Sequence, residues 1–164
     1  MEHMEHTVLC VDDEQNILNA LKRLLRKENY RLLTANSGQA GLDLLAGNDV
    51  HVVVSDQRMP EESGVDFLAR VRERWPETAR IAITGGDVTL WAEMPGIYQV
   101  MPKGCSDVQF RLAVRNAARL FQLTRENDRM ALEMRCLGPG AVRAGVSRGR
   151  PGGKKIARRR RHSL

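Results

Sequence analysis

The chain has 164 residues, enough for one core of ordinary size plus an appendage. Its formal charge of +6 belongs to the tail: residues 137 to 164 hold nine Lys and Arg and no acid, whereas residues 1 to 136 hold 17 Lys and Arg against 20 Asp and Glu, a balance of −3. Three widely spaced cysteines, Cys10, Cys105 and Cys136, argue against a disulfide framework or zinc site, and no apolar stretch approaches a membrane span, so a protein of the reducing cytoplasm with no membrane contact is expected.

Taken in chain order, apolar spacing alternates between short β-like runs and helical period, the pattern of βα units and a parallel sheet. Residues 1 to 6 lack the basic-then-apolar order of a secretion signal and are expected to fray. A first strand at residues 7 to 11 ends in Asp12-Asp13-Glu14, and Ile17, Leu18, Leu21, Leu24 and Leu25 recur at helical spacing within residues 14 to 28. A second strand is predicted at 31 to 35, after which Ser37 can cap a helix to about residue 47. The third strand, His51-Val52-Val53-Val54-Ser55, runs directly into Asp56. Val65, Phe67, Leu68 and Val71 mark a helix up to Trp75, where Pro76 stops it. A fourth strand at 80 to 84 ends in Thr84. The next connection, Gly85 to Pro95, is broken by Gly and Pro and predicts only two or three helical turns before a fifth strand at 96 to 100.

The last helix is predicted to begin near Ser106 and to outrun a domain of residues 7 to 124, leaving a helical extension at 125 to 137. Leu120, Leu123, Asn127, Met130, Met134 and Leu137 alternate by three and four residues, as at the a and d positions of a coiled coil. Asn127 falls at an a position, where a buried amide favours a parallel two-stranded pairing, so a homodimer through Leu120, Leu123, Asn127, Met130 and Met134 is one expectation. An amphipathic helix end, packed or solvated, fits the same spacing. From Gly138 onward there is no acid, Phe, Tyr or Trp, and residues 138 to 164 read as a disordered basic tail that cannot bury enough surface to offset its ordering entropy. Lys154-Lys155 and Arg158-Arg159-Arg160-Arg161 are cations for phosphate contact, but without a recognition element any nucleic-acid binding would be weak, non-specific and salt-labile.

If the first and third strands are neighbours, as right-handed crossovers make natural, the carboxylates of Asp12, Asp13 and Asp56 converge at the carboxyl edge of the sheet. Like charges so close raise one another's pKa and call for a cation, and hard oxygen ligands with open water positions suit Mg²⁺. A carboxylate beside such an ion can itself attack a phosphoryl group and form an acyl phosphate, and Asp56 is the natural nucleophile. Lys103, just after the fifth strand, and Thr84, ending the fourth, supply a cation and a hydroxyl donor on the same edge. Each alone has a plainer reading, Asp13 as a helix cap and Lys103 or Thr84 as surface residues, and only their joint spacing points to phosphoryl chemistry.

Those pieces, Val8-Leu9-Cys10-Val11-Asp12-Asp13-Glu14, Asp56-Gln57-Arg58-Met59-Pro60 with Gly64, Ile81-Ala82-Ile83-Thr84-Gly85, and Lys103, resemble the receiver domain of two-component response regulators over about residues 7 to 124. The resemblance implies an α/β fold: a five-stranded parallel sheet of flavodoxin-like order 2-1-3-4-5, helices on both faces, and here an extended C-terminal helix. It implies that Asp56 accepts phosphate from a histidine kinase or phosphotransfer protein, that Asp12, Asp13, Asp56 and the backbone carbonyl of Arg58 hold Mg²⁺, and that Thr84 and Lys103 contact the phosphoryl group. Phosphorylation would then re-pack the surface of the fourth helix, fifth strand and fifth helix. Any enzyme activity would be self-phosphorylation and dephosphorylation, with no separate catalytic output domain. The Asp-Gln-Arg-Met-Pro wording also resembles regulators with an HD-GYP phosphodiesterase as output, which would make this a receiver without its output domain. Two departures stand out: proline precedes the lysine instead of following it, and Val100 occupies the place of an aromatic switch residue, with Tyr98 nearby. A receiver-like interaction module that takes no phosphate is the alternative.

Overall fold

A computed structural model of the chain describes residues 5–91 and 94–138. The elements are β1 (His6–Val11), α1 (Gln15–Leu25), β2 (Tyr30–Ala35), α2 (Gly38–Gly47), β3 (Val52–Asp56), α3 (Gly64–Arg74), β4 (Ala79–Thr84), a 3₁₀ turn (Val88–Trp91), β5 (Gln99–Pro102) and α4 (Asp107–Leu137). The strands form one parallel sheet of order β2-β1-β3-β4-β5, the expected topology. The chain divides into two units, Met1–Arg129 and Met130–Leu164; the described part of the second is the end of α4 and Gly138, and the tail from residue 139 lies outside the described residues, as do residues 1–4.

The central strands are apolar without alternation because both of their faces are covered. On one face, Leu18, Leu21 and Leu25 of α1 and Phe110, Val114 and Ala117 of α4 pack on Val8, Cys10, Val52, Val54 and Ile81. On the other, Leu42 and Leu45 of α2 and Phe67, Leu68 and Val71 of α3 pack on Leu9, Val11, Val53 and Ala82. Each such fully buried aliphatic side chain stabilises the fold by roughly 1.5–3 kcal/mol relative to exposure. Local signals set the helix starts: the Ser37 hydroxyl accepts the Ala40 N–H at 3.2 Å, and the Ser63 hydroxyl accepts the Asp66 N–H at 3.1 Å.

The fifth strand begins at Gln99, not at residue 96, because Gly96 turns the chain with φ +86° while Arg80 Nε donates to its carbonyl at 2.7 Å. Tyr98 therefore lies outside the strand, with its N–H on the Arg80 carbonyl and 38% of its surface exposed. Among its described residues, the connection after β4 shows a single 3₁₀ turn, Val88–Trp91, where two or three helical turns are expected. Asp87 caps it by accepting the Thr89 N–H at 2.8 Å, and Trp91 anchors it in the core at 2% exposure. The output surface envisaged from a fourth helix thus has no α-helix on that connection among the described residues.

Strand β1 also starts one residue early, at His6, inside the segment expected to fray. His6 pairs with Tyr30 of β2, and His51 packs at this end of the strand: its Nδ1 accepts the Thr7 N–H at 2.6 Å, and its ring stands edge-on to His6 at 5.1 Å and to Phe121 at 4.4 Å. The Arg125 guanidinium covers Phe121 at 4.5 Å and reaches both Asp49 oxygens at 2.7 Å and Glu77 at 3.0 Å. Burial holds the His51 pKa below its ordinary value; His6 and Arg125 push the same way, and Asp49, 3.9 Å from Nε2, opposes them. A histidine that charges less readily folded than unfolded contributes stability at neutral pH that is lost as pH falls through the ordinary histidine range. The urea midpoint is expected to drop between about pH 7.5 and pH 5.5. In His51→Gln the drop should shrink relative to wild type, leaving the part from His6, whose pKa burial also lowers, set against the buried Asp12 carboxyl, which titrates at about 6 with the opposite sign.

Candidate functional site

The carboxyl ends of β1, β3 and β4 and the turn after β5 meet at one edge of the sheet. Asp12 follows β1 and is 2% exposed; its N–H donates to the Ala35 carbonyl at 3.1 Å, and its Oδ1 accepts the Glu14 N–H at 2.9 Å. Asp56 ends β3 at 3% exposure, and Asp13 is exposed. One carboxylate oxygen from each of Asp12, Asp13 and Asp56 lies within 4.8 Å of the others, so Asp56 joins an adjacent pair of acids 43 and 44 positions earlier in the chain in a single cluster. Burial raises the Asp12 pKa to about 6, with Asp56 and Asp13 adding to the rise and the Glu14 N–H and Lys103 opposing it.

Lys103 Nζ lies 3.2 Å from Asp56 Oδ1. This is an ion pair short of hydrogen-bond alignment, and that buried oxygen has no hydrogen-bond donor. Burial pulls the Lys103 pKa down, but the carboxylates of Asp56, Asp12 and Glu14 outweigh it and leave the ammonium above its usual value. Pro102, although it precedes the lysine, does not spoil the lysine's aim. Pro102 pairs with Thr84 across β4 and β5, the Lys103 N–H donates to the Thr84 carbonyl at 2.7 Å, and Gly104 turns the chain at φ +93°.

The loop after Asp56 is held close. The Gln57 N–H donates to the Ile83 carbonyl at 2.9 Å, and the Gly64 N–H donates to the Gln57 carbonyl at 2.8 Å. A Cβ on Gly64 would stand 2.0 Å from the Asp56 carbonyl oxygen, which explains a glycine eight residues after the aspartate. Thr84 is fully buried at the end of β4; its hydroxyl donates to Gln57 Oε1 and accepts the Gly86 N–H at 3.0 Å. Gln57 was not singled out from the sequence, since nothing there shows that its side chain crosses to β4. Arg58 follows in the loop with an exposed side chain, and its carbonyl role rests on the resemblance. Val100 is half-buried against the α2–α3 side of the core, so no aromatic ring stands at that position of β5.

The donor set fits Mg²⁺: three clustered carboxylates, two of them buried, and a buried Asp56 oxygen with no hydrogen-bond donor. A flavodoxin-like sheet carrying this acidic cluster, a lysine and a threonine on its carboxyl edge defines a domain that receives phosphoryl groups. The response regulator receiver domain family matches residues 8–115, and the chain belongs to it. The hydrogenase transcriptional regulatory protein HoxA of Bradyrhizobium diazoefficiens is 37% identical over 136 residues, 80% of this chain and 28% of HoxA. HoxA of Cupriavidus necator is 39% identical over 143 residues, 85% of this chain and 30% of that protein. The chain therefore spans less than a third of the length of these two relatives. The solved signal receiver domain of an HD domain-containing protein from Pseudomonas fluorescens Pf-5 is 33% identical with a TM-score of 0.68, covering 72% of this chain and 98% of that one. Receiver domains take phosphoryl groups from histidine kinases and bind Mg²⁺ at acidic residues. No helix among the described residues is long and apolar enough to cross a membrane.

Proposed function

We propose that Asp56 is the phosphoacceptor of a domain spanning residues 7 to 124, loaded in the cytoplasm by a histidine kinase or phosphotransfer protein. One Asp56 carboxylate oxygen attacks phosphorus, the new O–P bond makes an acyl phosphate, and the P–N bond to the donor histidine breaks with its electron pair left on the imidazole. Asp12, Asp13, Asp56 and the Arg58 carbonyl would hold Mg²⁺, which when bound neutralises charge on the phosphoryl oxygens. Lys103 pairs with one of those oxygens and the Thr84 hydroxyl donates to another. The observation that carries this reading is the acidic cluster within 4.8 Å with Lys103 Nζ at 3.2 Å from Asp56, the buried carboxylate that forms the last residue of β3.

The signal is read out through pairing of α4 with a second copy. Support comes from the exposure of Leu120 at 42%, Leu123 at 53%, Met130 at 52% and Met134 at 67%, with Asn127 exposed among them. The output domain served is of the HD type by the wording after Asp56 and the similarity to the receiver of an HD domain-containing protein, or transcriptional by the similarity to HoxA. The basic tail contributes at most weak nucleic-acid contact, and retention on DNA after deletion of residues 138 to 164 tests that part. Val100 in place of an aromatic switch favours the second reading, a module that pairs without phosphate. Acetyl phosphate with Mg²⁺ separates the two: the expected result is a mass gain of one phosphoryl group with a shift toward dimer, and an unchanged mass at every Mg²⁺ concentration refutes the first reading.

A further inference from the structure

We propose that Gln57 is a positioning residue that latches the switch hydroxyl: its side-chain carbonyl holds the Thr84 O–H and competes for it with a phosphoryl group on Asp56. The inference rests on the phosphoacceptor reading of Asp56 and adds a residue and a regulation to it. Thr84 is fully buried and its hydroxyl has one proton to give, which goes to Gln57 Oε1; the same oxygen accepts the Gly86 N–H at 3.0 Å. The donor is therefore already engaged in the unphosphorylated domain. A phosphoryl oxygen can recruit it only by displacing the glutamine.

The mounting of Gln57 suits a latch. Its N–H is tied to the Ile83 carbonyl at 2.9 Å and its carbonyl to the Gly64 N–H at 2.8 Å, so the backbone beside Asp56 is fixed to both β4 and the start of α3. The side chain is half-buried, and release requires only its own rotation into solvent. The exchange has a defined direction, because a hydroxyl donates about twice as strongly to an anionic oxygen as to a neutral amide carbonyl. Gln57 then sets how much of that gain is spent before Thr84 and the Gly85-Gly86 turn move. Val100, half-buried against the α2–α3 side of the core, carries no ring, so the glutamine supplies a restraint on the Thr84 hydroxyl that no aromatic side chain at that position of β5 provides.

Beryllofluoride with Mg²⁺, added to the full chain and followed by the Gly86 amide resonance, reports the hydroxyl directly. Gln57→Met keeps the side-chain length and removes the acceptor, and Gln57→Ala is the second variant. Both are expected to lower the half-saturating beryllofluoride concentration by about two- to tenfold, the range of one neutral hydrogen bond. In a Thr84→Ala background the same substitutions should change nothing. Equal affinity of wild type and both Gln57 variants overturns the latch while the phosphoacceptor site stands. A gain of the same size without the Thr84 hydroxyl also overturns it, since Gln57 would then act on access alone. If the wild-type protein fails to respond at all, the phosphoacceptor reading falls and takes the latch with it.

Discussion

Asp56→Asn is expected to abolish phosphoryl uptake from acetyl phosphate, with no mass gain detectable when the wild-type chain is fully converted. The amide is nearly isosteric with the carboxylate, so the packing at the end of β3 is retained and the far-UV circular dichroism should match. What disappears is the nucleophilic oxygen. Asp12 and Asp13 remain at the same edge, and their inability to substitute is part of the expectation: Asp12 is buried with one oxygen on the Glu14 N–H, and Asp13 lacks the ion pair to Lys103. The activation-dependent change in oligomeric state should vanish in the same variant. A phosphorylated Asp56→Asn protein would move the acceptor to another carboxylate and overturn the assignment.

Lys103→Ala is expected to slow uptake by about 10² to 10³-fold, the usual effect of deleting one preorganised charge-stabilising group. The ammonium is held at 3.2 Å from Asp56 Oδ1 before any phosphate arrives, and a group already in place costs no reorganisation when charge develops on the phosphoryl oxygens. Lys103→Arg should recover only part of the rate, since a planar fork replaces a compact point charge. The measurement is the initial rate of mass gain at saturating Mg²⁺, with the urea midpoint recorded alongside. A rate within about threefold of wild type, together with a lower midpoint, would make the lysine a structural partner of Asp56 only.

Most of the fold was legible because its signals are local. Apolar runs such as Val52-Val53-Val54, the Ser37 cap and the Pro76 stop each act within a few residues, and the structure places elements close to where they indicate. The misplaced fifth strand and the shortened connection before it have a common cause. Gly96, Arg80 and Trp91 decide them through contacts between segments far apart in the chain, and propensity within residues 85 to 100 carries no trace of those contacts. The acidic residues and lysine at strand ends could be named in advance because a parallel sheet gathers strand ends at one edge.

Residue order alone was sufficient for the family, the parallel βα architecture and the identity of the acidic cluster, since hydrophobic period and strand-end chemistry are written in neighbouring positions. Only the folded molecule decided that Lys103 reaches Asp56 despite the displaced proline, that His51 ties β1 to α4, and that Gln57 takes the Thr84 proton. These are distances between side chains on different strands and helices, and packing of the whole sheet sets them.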